Sequence, residues 1–389
     1  MTGWRLLAVL FAARATMAFQ FQAVAALAPS LMERHGVGLA EIGLLIGLYL
    51  SPGLVAAYPG GAIGRRFGER RVVLAGLCLM LVGGLLTVLA PGWEAQLAGR
   101  VVAGTGGILL NMLMTKLVTD AFAGGRLATA MSIFVNSWPL GIGSALLVLP
   151  PVAEGAGLDA ALWLVAALLL LGLLIFAFGT RPAAEGAAQP LKAERLRGAP
   201  LKGAVLTGAI WGLYNGGLAM VFGFGPALLA ERGWGSVAAG QMTSAVLWLM
   251  TLSIPLGGVL ADRTGRRDAV LAAGLLGFAV FMALGAAPGL PGAALIGLFL
   301  ILGLFGGIPA GPIMSLPAGV LPPTVRAEGM GVFFTLFYLG TMGAPLAAGW
   351  LSEVSGTSAA AFVFGAVLLL LCLPALTMTA RIARGLHSA

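Results

Sequence analysis

The sequence predicts an all-α polytopic membrane protein, with twelve transmembrane helices arranged as two parallel six-helix bundles. Three observations carry this expectation. Apolar residues make up 59% of the 389-residue chain and charged residues only 9%. A soluble domain carries about 25% charged residues, so the chain lacks the polar surface that a water-soluble globule needs. Its apolar runs continue for about twenty residues, enough to cross about 30 Å of hydrocarbon as helices. They show none of the period-two alternation of a membrane β-barrel. Finally, the first half of the chain repeats in the second.

Spans are expected at about 6–28, 39–63, 72–90, 95–115, 127–150 and 158–179. A second set follows at about 203–229, 237–260, 269–287, 292–315, 329–350 and 358–379. The long polar stretch between the sets, rich in Ala, Pro and charge, reads as a linker. The expected organisation is an N-terminal bundle over 1–179, a cytoplasmic linker over 180–202 and a C-terminal bundle over 203–389. Arg5 and the run Ala26-Leu27-Ala28 imitate a cleaved leader, but Arg14 interrupts the would-be apolar core, and the segment has a partner in the second half. It is read as a retained span.

The net charge of +8 has a membrane explanation. With the N-terminus in the cytoplasm, eighteen Lys and Arg fall inside and only Arg34 and Arg232 outside. Such a bias orients the chain with both termini cytoplasmic, in the cell (inner or plasma) membrane. No basic patch is interleaved with aromatic residues, so a nucleic-acid partner is not expected. Cys78 and Cys372 lie in apolar runs and read as small buried hydrophobes rather than a disulfide or metal site. No phosphate-binding G-x-x-x-x-G-K-[ST] run occurs, which argues against direct ATP coupling. No catalytic residue, metal or cofactor is expected, and the lipid bilayer is the main partner of a monomer.

Sliding the chain by 197 residues without gaps aligns Pro29 with Pro226, Gly36 with Gly233 and Gly43 with Gly240. Gly60-Gly61 meets Gly257-Gly258, Arg66 meets Arg263, Arg70 meets Arg267, and Ala90-Pro91-Gly92 meets Ala287-Pro288-Gly289. Matches of Pro, Gly and Arg in one register are informative in a chain where apolar identities are cheap. Spans 1–4 and 7–10 are thus one structural unit in one orientation, a parallel-repeat design in which transporters bind substrate between the halves.

The loop Gly257-Gly258-Val259-Leu260-Ala261-Asp262-Arg263-Thr264-Gly265-Arg266-Arg267 between spans 8 and 9 resembles the signature loop of the major facilitator superfamily. The stretch from Gly60 to Arg71 is a degenerate copy in which Arg65 stands where Asp262 does and Glu69 where Arg266 does. Arg100-Val101-Val102-Ala103-Gly104-Thr105-Gly106-Gly107 is similar to the family's Arg-containing span-4 motif, with Ala103 in place of its usual Gln. Trp138-Pro139-Leu140-Gly141-Ile142-Gly143 matches the exporters' Gly-Pro motif only in part. The sequence texture is also similar to the cyanate permease branch. The resemblance covers essentially the whole chain and implies a secondary transporter working by alternating access. It assigns Arg65, Glu69, Asp262, Arg263, Arg266 and Arg267 to a cytoplasmic latch and Arg100 to gating or proton coupling. Plain positive-inside anchoring accounts for the loop arginines about equally well.

Charges within spans are costly, about 2.5–3.5 kcal/mol on insertion scales, and are functional candidates for that reason. All fourteen acids fall at span ends or in loops, which leaves Arg14 and Arg100 as the charges inside the membrane. An Arg does not release its proton usefully but pairs well with anions, so a small organic or inorganic anion is the expected substrate. Arg14, mid-span, is its first contact. Tyr214 and Asn215 approach from the other half, because Asn215 is the repeat partner of Ala18, one turn from Arg14. Asn111, Asn136, Gln241 and Trp248 complete the candidate lining, although Asn, Gln, Ser and Thr in membranes more often serve as interhelical glue. Proton coupling without a membrane carboxylate would fall to Glu33, Glu41 or the substrate itself. The rivals are a multidrug exporter with an aromatic pocket of Trp138, Trp211, Tyr214 and Trp248, a non-transporting sensor, and a membrane-embedded enzyme. The enzyme would need a cluster of Asp, His or Cys that the sequence lacks.

Overall fold

The computed structural model describes residues 3–90, 92–180 and 195–387. Most of the expected linker, 181–194, lies outside the described residues, as does Pro91 of the repeat. The described residues form fifteen α-helices. The first eight are α1 (Gly3–Ala26), α2 (Ala28–His35), α3 (Leu39–Leu50), α4 (Gly53–Phe67), α5 (Glu69–Leu89), α6 (Trp93–Phe122), α7 (Leu127–Ala156) and α8 (Leu158–Gly179). The second set is α9 (Gly198–Glu231), α10 (Ser236–Thr264), α11 (Arg267–Ala286), α12 (Gly292–Gly307), α13 (Ala310–Val320), α14 (Arg326–Ser355) and α15 (Ala359–His387).

Eleven stretches among the described residues are long and apolar enough to cross a membrane, α12 and α13 counting as one. The remaining expected span, 39–63, is present as two pieces, α3 and α4, broken at Ser51 and Pro52. Pro52 brings no N–H and its ring crowds the preceding turn, which ends α3. The break still satisfies its backbone: Ser51 N–H donates to Gly47 O at 3.0 Å, and Ala56 N–H to Pro52 O at 2.7 Å. Backbone at membrane depth requires such internal partners. Pro309 divides α12 from α13 for the same reason. Pro29 sits in the first turn of α2, just past the end of α1, whereas its repeat partner Pro226 lies inside the unbroken α9.

The chain divides into two compact units. Unit one comprises Met1–Ala121 and Asn136–Glu194, and unit two comprises Phe122–Val135 and Arg195–Ala389. Helix α7 therefore contributes its residues through Val135 to unit two and the rest to unit one. Within unit one, α1 packs on α3 and α8, and α5 on α4 and α8. The α5–α6 contact is built on glycine: a Cβ at Gly106 would stand 2.2 Å from Gly76 O, and one at Gly83 would stand 2.4 Å from Gly99 O. Small residues let helix backbones approach where lipid supplies no hydrophobic drive. Within unit two, α9 packs most heavily on α14 and α15, and α10 on α12. There Gly307 lies against Ser253 of α10, and Gly311 against Ser132 of α7.

Candidate functional site

The candidate site grows from one face of α6. Arg100, Gly104, Gly107 and Asn111 recur at four-, three- and four-residue intervals, which places them in a line along the helix. The glycines leave room on that face for Tyr49 of α3: a Cβ at Gly104 would stand 2.2 Å from Tyr49 O, and one at Gly107 would stand 2.9 Å from Tyr49 Oη. The polar residues at either end reach α1.

Arg14 lies at the midpoint of α1 and is buried. Its Nε donates to Asn111 Oδ1 at 2.8 Å and its Nη1 to Ser137 Oγ at 2.9 Å. Both acceptors are neutral, and these two bonds fix the plane of the guanidinium. The Trp138 ring centroid lies 5.6 Å from Arg14 Cζ, within cation–π reach. Every Asp and Glu among the described residues stands within three positions of a helix terminus.

Arg100 is buried as well and does not snorkel to an interface. Its Nε donates to Leu45 O at 3.1 Å, Nη1 to Gln20 O at 3.0 Å and Nη2 to Phe21 O at 3.0 Å. Its Cζ lies 4.6 Å from the Tyr49 ring centroid. The side chain thus ties α6 to the backbones of α1 and α3 by charge-assisted bonds.

Three rings join the two arginines. Trp138 lies 5.2 Å from Phe21, and Phe21 lies 5.4 Å from Tyr49, centroid to centroid. The sequence Arg14, Trp138, Phe21, Tyr49, Arg100 is therefore a continuous cation–aromatic wall inside unit one. Trp138 and Phe21 are only half-buried. Beside it, Gln20, Gln96 and Arg100 line a cavity of about 30 Å³, roomy enough for a water. Gln20 Nε2 donates to Met80 O at 3.0 Å, while its buried Oε1 has no hydrogen-bond partner.

The expected site residues of unit two are arranged differently. Tyr214 is buried and its hydroxyl donates to Gly306 O at 2.6 Å. Its ring stacks on Trp211 at 5.4 Å, and Trp211 stacks on Phe337 at 5.9 Å. Asn215 Nδ2 donates to Trp211 O at 2.8 Å, one turn back on α9. Gln241 and Trp248, seven residues apart on α10, are exposed, Trp248 by 42%. Asn136, in unit one, is half-buried and its Oδ1 has no hydrogen-bond partner.

Of the loop residues, Asp262 does the most defined work. Its Oδ2 accepts from Thr129 N–H at 2.7 Å and its Oδ1 from Ala128 N–H at 3.3 Å. It thereby caps the N-terminus of α7, where unsatisfied amides and the helix dipole favour a carboxylate. Gly258, one turn before Asp262, admits this segment closely: a Cβ there would stand 2.2 Å from Ser132 Oγ. Arg263 and Arg266 are exposed, and Arg267 Nε donates to Asp268 at 3.1 Å. In the degenerate copy, Arg65 is exposed, and Glu69 accepts from Lys116, which also donates to Asp120 at 2.7 Å.

The structure brings together Arg14 and Asn111, two of the residues expected to line the site. It adds Ser137, Phe21, Tyr49, Gln20 and Gln96, which the sequence reading did not single out. A lone Ser in span 5 carries no signal by itself. The one available clue was that Ser137 immediately precedes Trp138, on a helix rich in small residues.

A membrane bundle of repeated units with buried guanidiniums and no described carboxylate at mid-helix has the make-up of a solute carrier. The chain belongs to the Major Facilitator Superfamily, whose profile matches residues 10–228 and 213–385. An uncharacterized transporter of Buchnera aphidicola is 26% identical over 137 residues, 35% of this chain and 34% of that protein. The chain thus spans about a third of that relative's length. The 3-(3-hydroxy-phenyl)propionate transporter of Escherichia coli is 26% identical over 320 residues, 78% of this chain and 77% of that one. Among solved structures, FucP in the outward conformation superposes with a TM-score of 0.78 at 15% identity, covering 96% of this chain and 98% of FucP. The human organic anion transporter MFSD10 gives the same TM-score, 0.78, at 19% identity, with coverage of 97% and 100%. These two likenesses show the fold.

Proposed function

We propose that the chain is a secondary transporter that moves a small anionic solute by alternating access, with Arg14 as the contact for the anion's charge. The observation that carries this reading is the Arg14 guanidinium at the midpoint of α1, oriented by neutral Asn111 and Ser137. A guanidinium in low dielectric is strongly attracted to an entering anion and cannot be neutralised by losing its proton. The E. coli relative's named substrate is a carboxylate and MFSD10 is named for organic anions, which supports the reading. FucP, equally similar in fold, is named for fucose, so the choice of an anion rests on Arg14 rather than on likeness.

In this reading 1–179 and 203–389 are the two bundles, 180–202 is the linker, and both termini face the cytoplasm of the cell membrane. Asn111 and Asn136 complete the site beside Arg14, and Tyr214, Asn215, Gln241 and Trp248 are the contribution of the second half. Arg100 holds the outer part of α1, while Asp262, Arg263, Arg266, Arg267, Arg65 and Glu69 gate the cytoplasmic side. Any coupled proton travels on the substrate or by way of Glu33 or Glu41.

The test is uptake of labelled anions into proteoliposomes, wild type beside Arg14→Gln, with and without a pH gradient. Loss of a charge-assisted contact predicts a fall of about 10- to 100-fold. Saturable movement of a cationic dye with no anion uptake would establish the exporter instead.

A further inference from the structure

We infer that the cavity beside Arg100 is a hydration site, in which a bound water joins α1 to α6 through Gln20, Gln96 and Arg100. The inference concerns unit one alone and stands apart from the anion reading above. At about 30 Å³ the cavity has room for one or two waters, and α1, α5, α6 and α8 all contribute to its lining. Gln20, Gln96 and Arg100 line it and are at most 4% exposed, so they have no bulk water to turn to. Space is kept by small residues: a Cβ at Gly84, also in the lining, would stand 3.3 Å from Gln20 Nε2. At a separation of 197 residues the three polar positions correspond to Gly217, Ala293 and Gly297. The duplicated frame therefore does not require these polar groups.

Each of the three has used only part of its hydrogen-bonding capacity elsewhere. Gln20 Nε2 donates to Met80 O at 3.0 Å, which leaves the buried Oε1, without a partner, in need of a donor. Gln96 Nε2 donates to Thr87 O at 2.8 Å, a bond that uses neither lone pair of Gln96 Oε1. Arg100 donates from Nε, Nη1 and Nη2 to three backbone carbonyls, and each Nη carries a second hydrogen. The set calls for a ligand that donates to amide oxygens and accepts from a guanidinium. Water does both. A cation would be repelled by Arg100, and a halide would give Gln20 Oε1 no donor. A buried carbonyl left without a donor forfeits its hydration, so a bridging water stabilises the packed helices.

The first test needs no variant. A crystal structure of the full chain, at a resolution that shows ordered water elsewhere in the bundle, is expected to show a peak in this cavity. The peak should lie within about 2.7–3.2 Å of Gln20 Oε1 and of an Arg100 Nη. Crystals grown with bromide in place of chloride should give no anomalous signal there. A bromide signal overturns the inference in favour of an anion. A cavity without a peak, or Gln20 Oε1 turned directly onto Arg100, overturns it as well. The second test separates a wet cavity from a dry one by thermal unfolding. Ala23 lines the cavity, so Ala23→Val adds apolar bulk to it. Filling a dry cavity raises the melting temperature, whereas displacing a water that serves a buried polar group lowers it. The expected result is a drop for Ala23→Val in the wild type that vanishes or reverses when the same change is made in Gln20→Leu. A rise in the wild type, or an equal shift in both backgrounds, overturns the inference, because the added methyls then act by packing alone.

Discussion

The two units share a repeat and differ in what they bury. At a separation of 197 residues, Arg14 of unit one corresponds to Trp211 of unit two, Gln20 to Gly217, Arg100 to Gly297 and Asn111 to Ile308. Unit one encloses two guanidiniums bound to neutral oxygens. At the corresponding places unit two has a stack of Trp211, Tyr214 and Phe337, and the Tyr214 hydroxyl is spent on a backbone carbonyl. What both units keep is the close glycine contact between helices. The difference teaches that the frame depends on small residues at helix crossings, while the side chains it encloses are free to diverge. Here that divergence gives the charged chemistry to one side.

The largest expected effect bears on this division directly. Arg14→Gln should cut anion uptake by about 10- to 100-fold, whereas Trp211→Phe should change it by less than about threefold, being a ring-for-ring exchange. Comparable losses from both would end the idea that the charged work lies in unit one. The next effect is on stability. Arg100→Leu removes three charge-assisted bonds to α1 and α3, and thermal unfolding in detergent should show a loss of about 2–3 kcal/mol. Gly297→Ala, at the matching place, meets nothing within 4 Å and should melt like the wild type.

The repeat partners Gly60 and Gly257 sharpen the comparison further. A Cβ at Gly257 would stand 2.1 Å from Ile308 O, a backbone atom, while one at Gly60 would meet the movable end of Met112 at 2.9 Å. Gly257→Ala should therefore destabilise by about 1–3 kcal/mol, and Gly60→Ala by clearly less in the same melting assay. Asp262→Ala should remove the α7 cap for about 1 kcal/mol, and Arg65→Ala, at the matching exposed position, should be milder.

The smallest effect concerns pH. Burial, aided by Arg34, holds the His35 imidazole below its ordinary pKa. The folded state thus favours the neutral ring, and the stability this gives is present above the unfolded value of about 6.5. It is lost as pH falls through the lower folded value. Melting temperature should drop between about pH 7 and pH 5, and His35→Asn should flatten that drop. The repeat partner of His35 is Arg232, which donates to Ala286 O at 2.9 Å. A slope that survived in His35→Asn would show that the titrating group lies elsewhere.

Much of this architecture could be read from the chain because lipid imposes simple rules. Runs of about twenty apolar residues must be helices, and Pro, Gly and Arg in register betray a duplication. Arg14 was legible as a candidate because a mid-span charge is costly. That Asn111 lines the site was a reading of the sequence, but its bond to Arg14 on another helix was not legible, because spacing along α6 relates Asn111 only to Arg100. The carbonyl partners of Arg100 were not legible, because backbone acceptors carry no letter in a sequence. Nor was the break in the second span. Pro52 marked where it could fall, but Pro139 and Pro226 lie inside unbroken helices, so proline alone does not decide. The role of Asp262 as an acceptor for helix amides was foreseeable from its type; that the amides belong to Ala128 and Thr129 was not.

The interruption at Pro52 has a consequence for biosynthesis. Neither α3 nor α4, at 12 and 15 residues, is long enough to cross a bilayer alone. The pair must enter together, and the carbonyl of Leu45 receives its Arg100 donor only after a further stretch of chain has been made. Between those events the second span lacks the charge-assisted tie that Leu45 has in the folded chain. Its final lodging awaits the arrival of α6, which brings the Arg100 guanidinium to the Leu45 carbonyl.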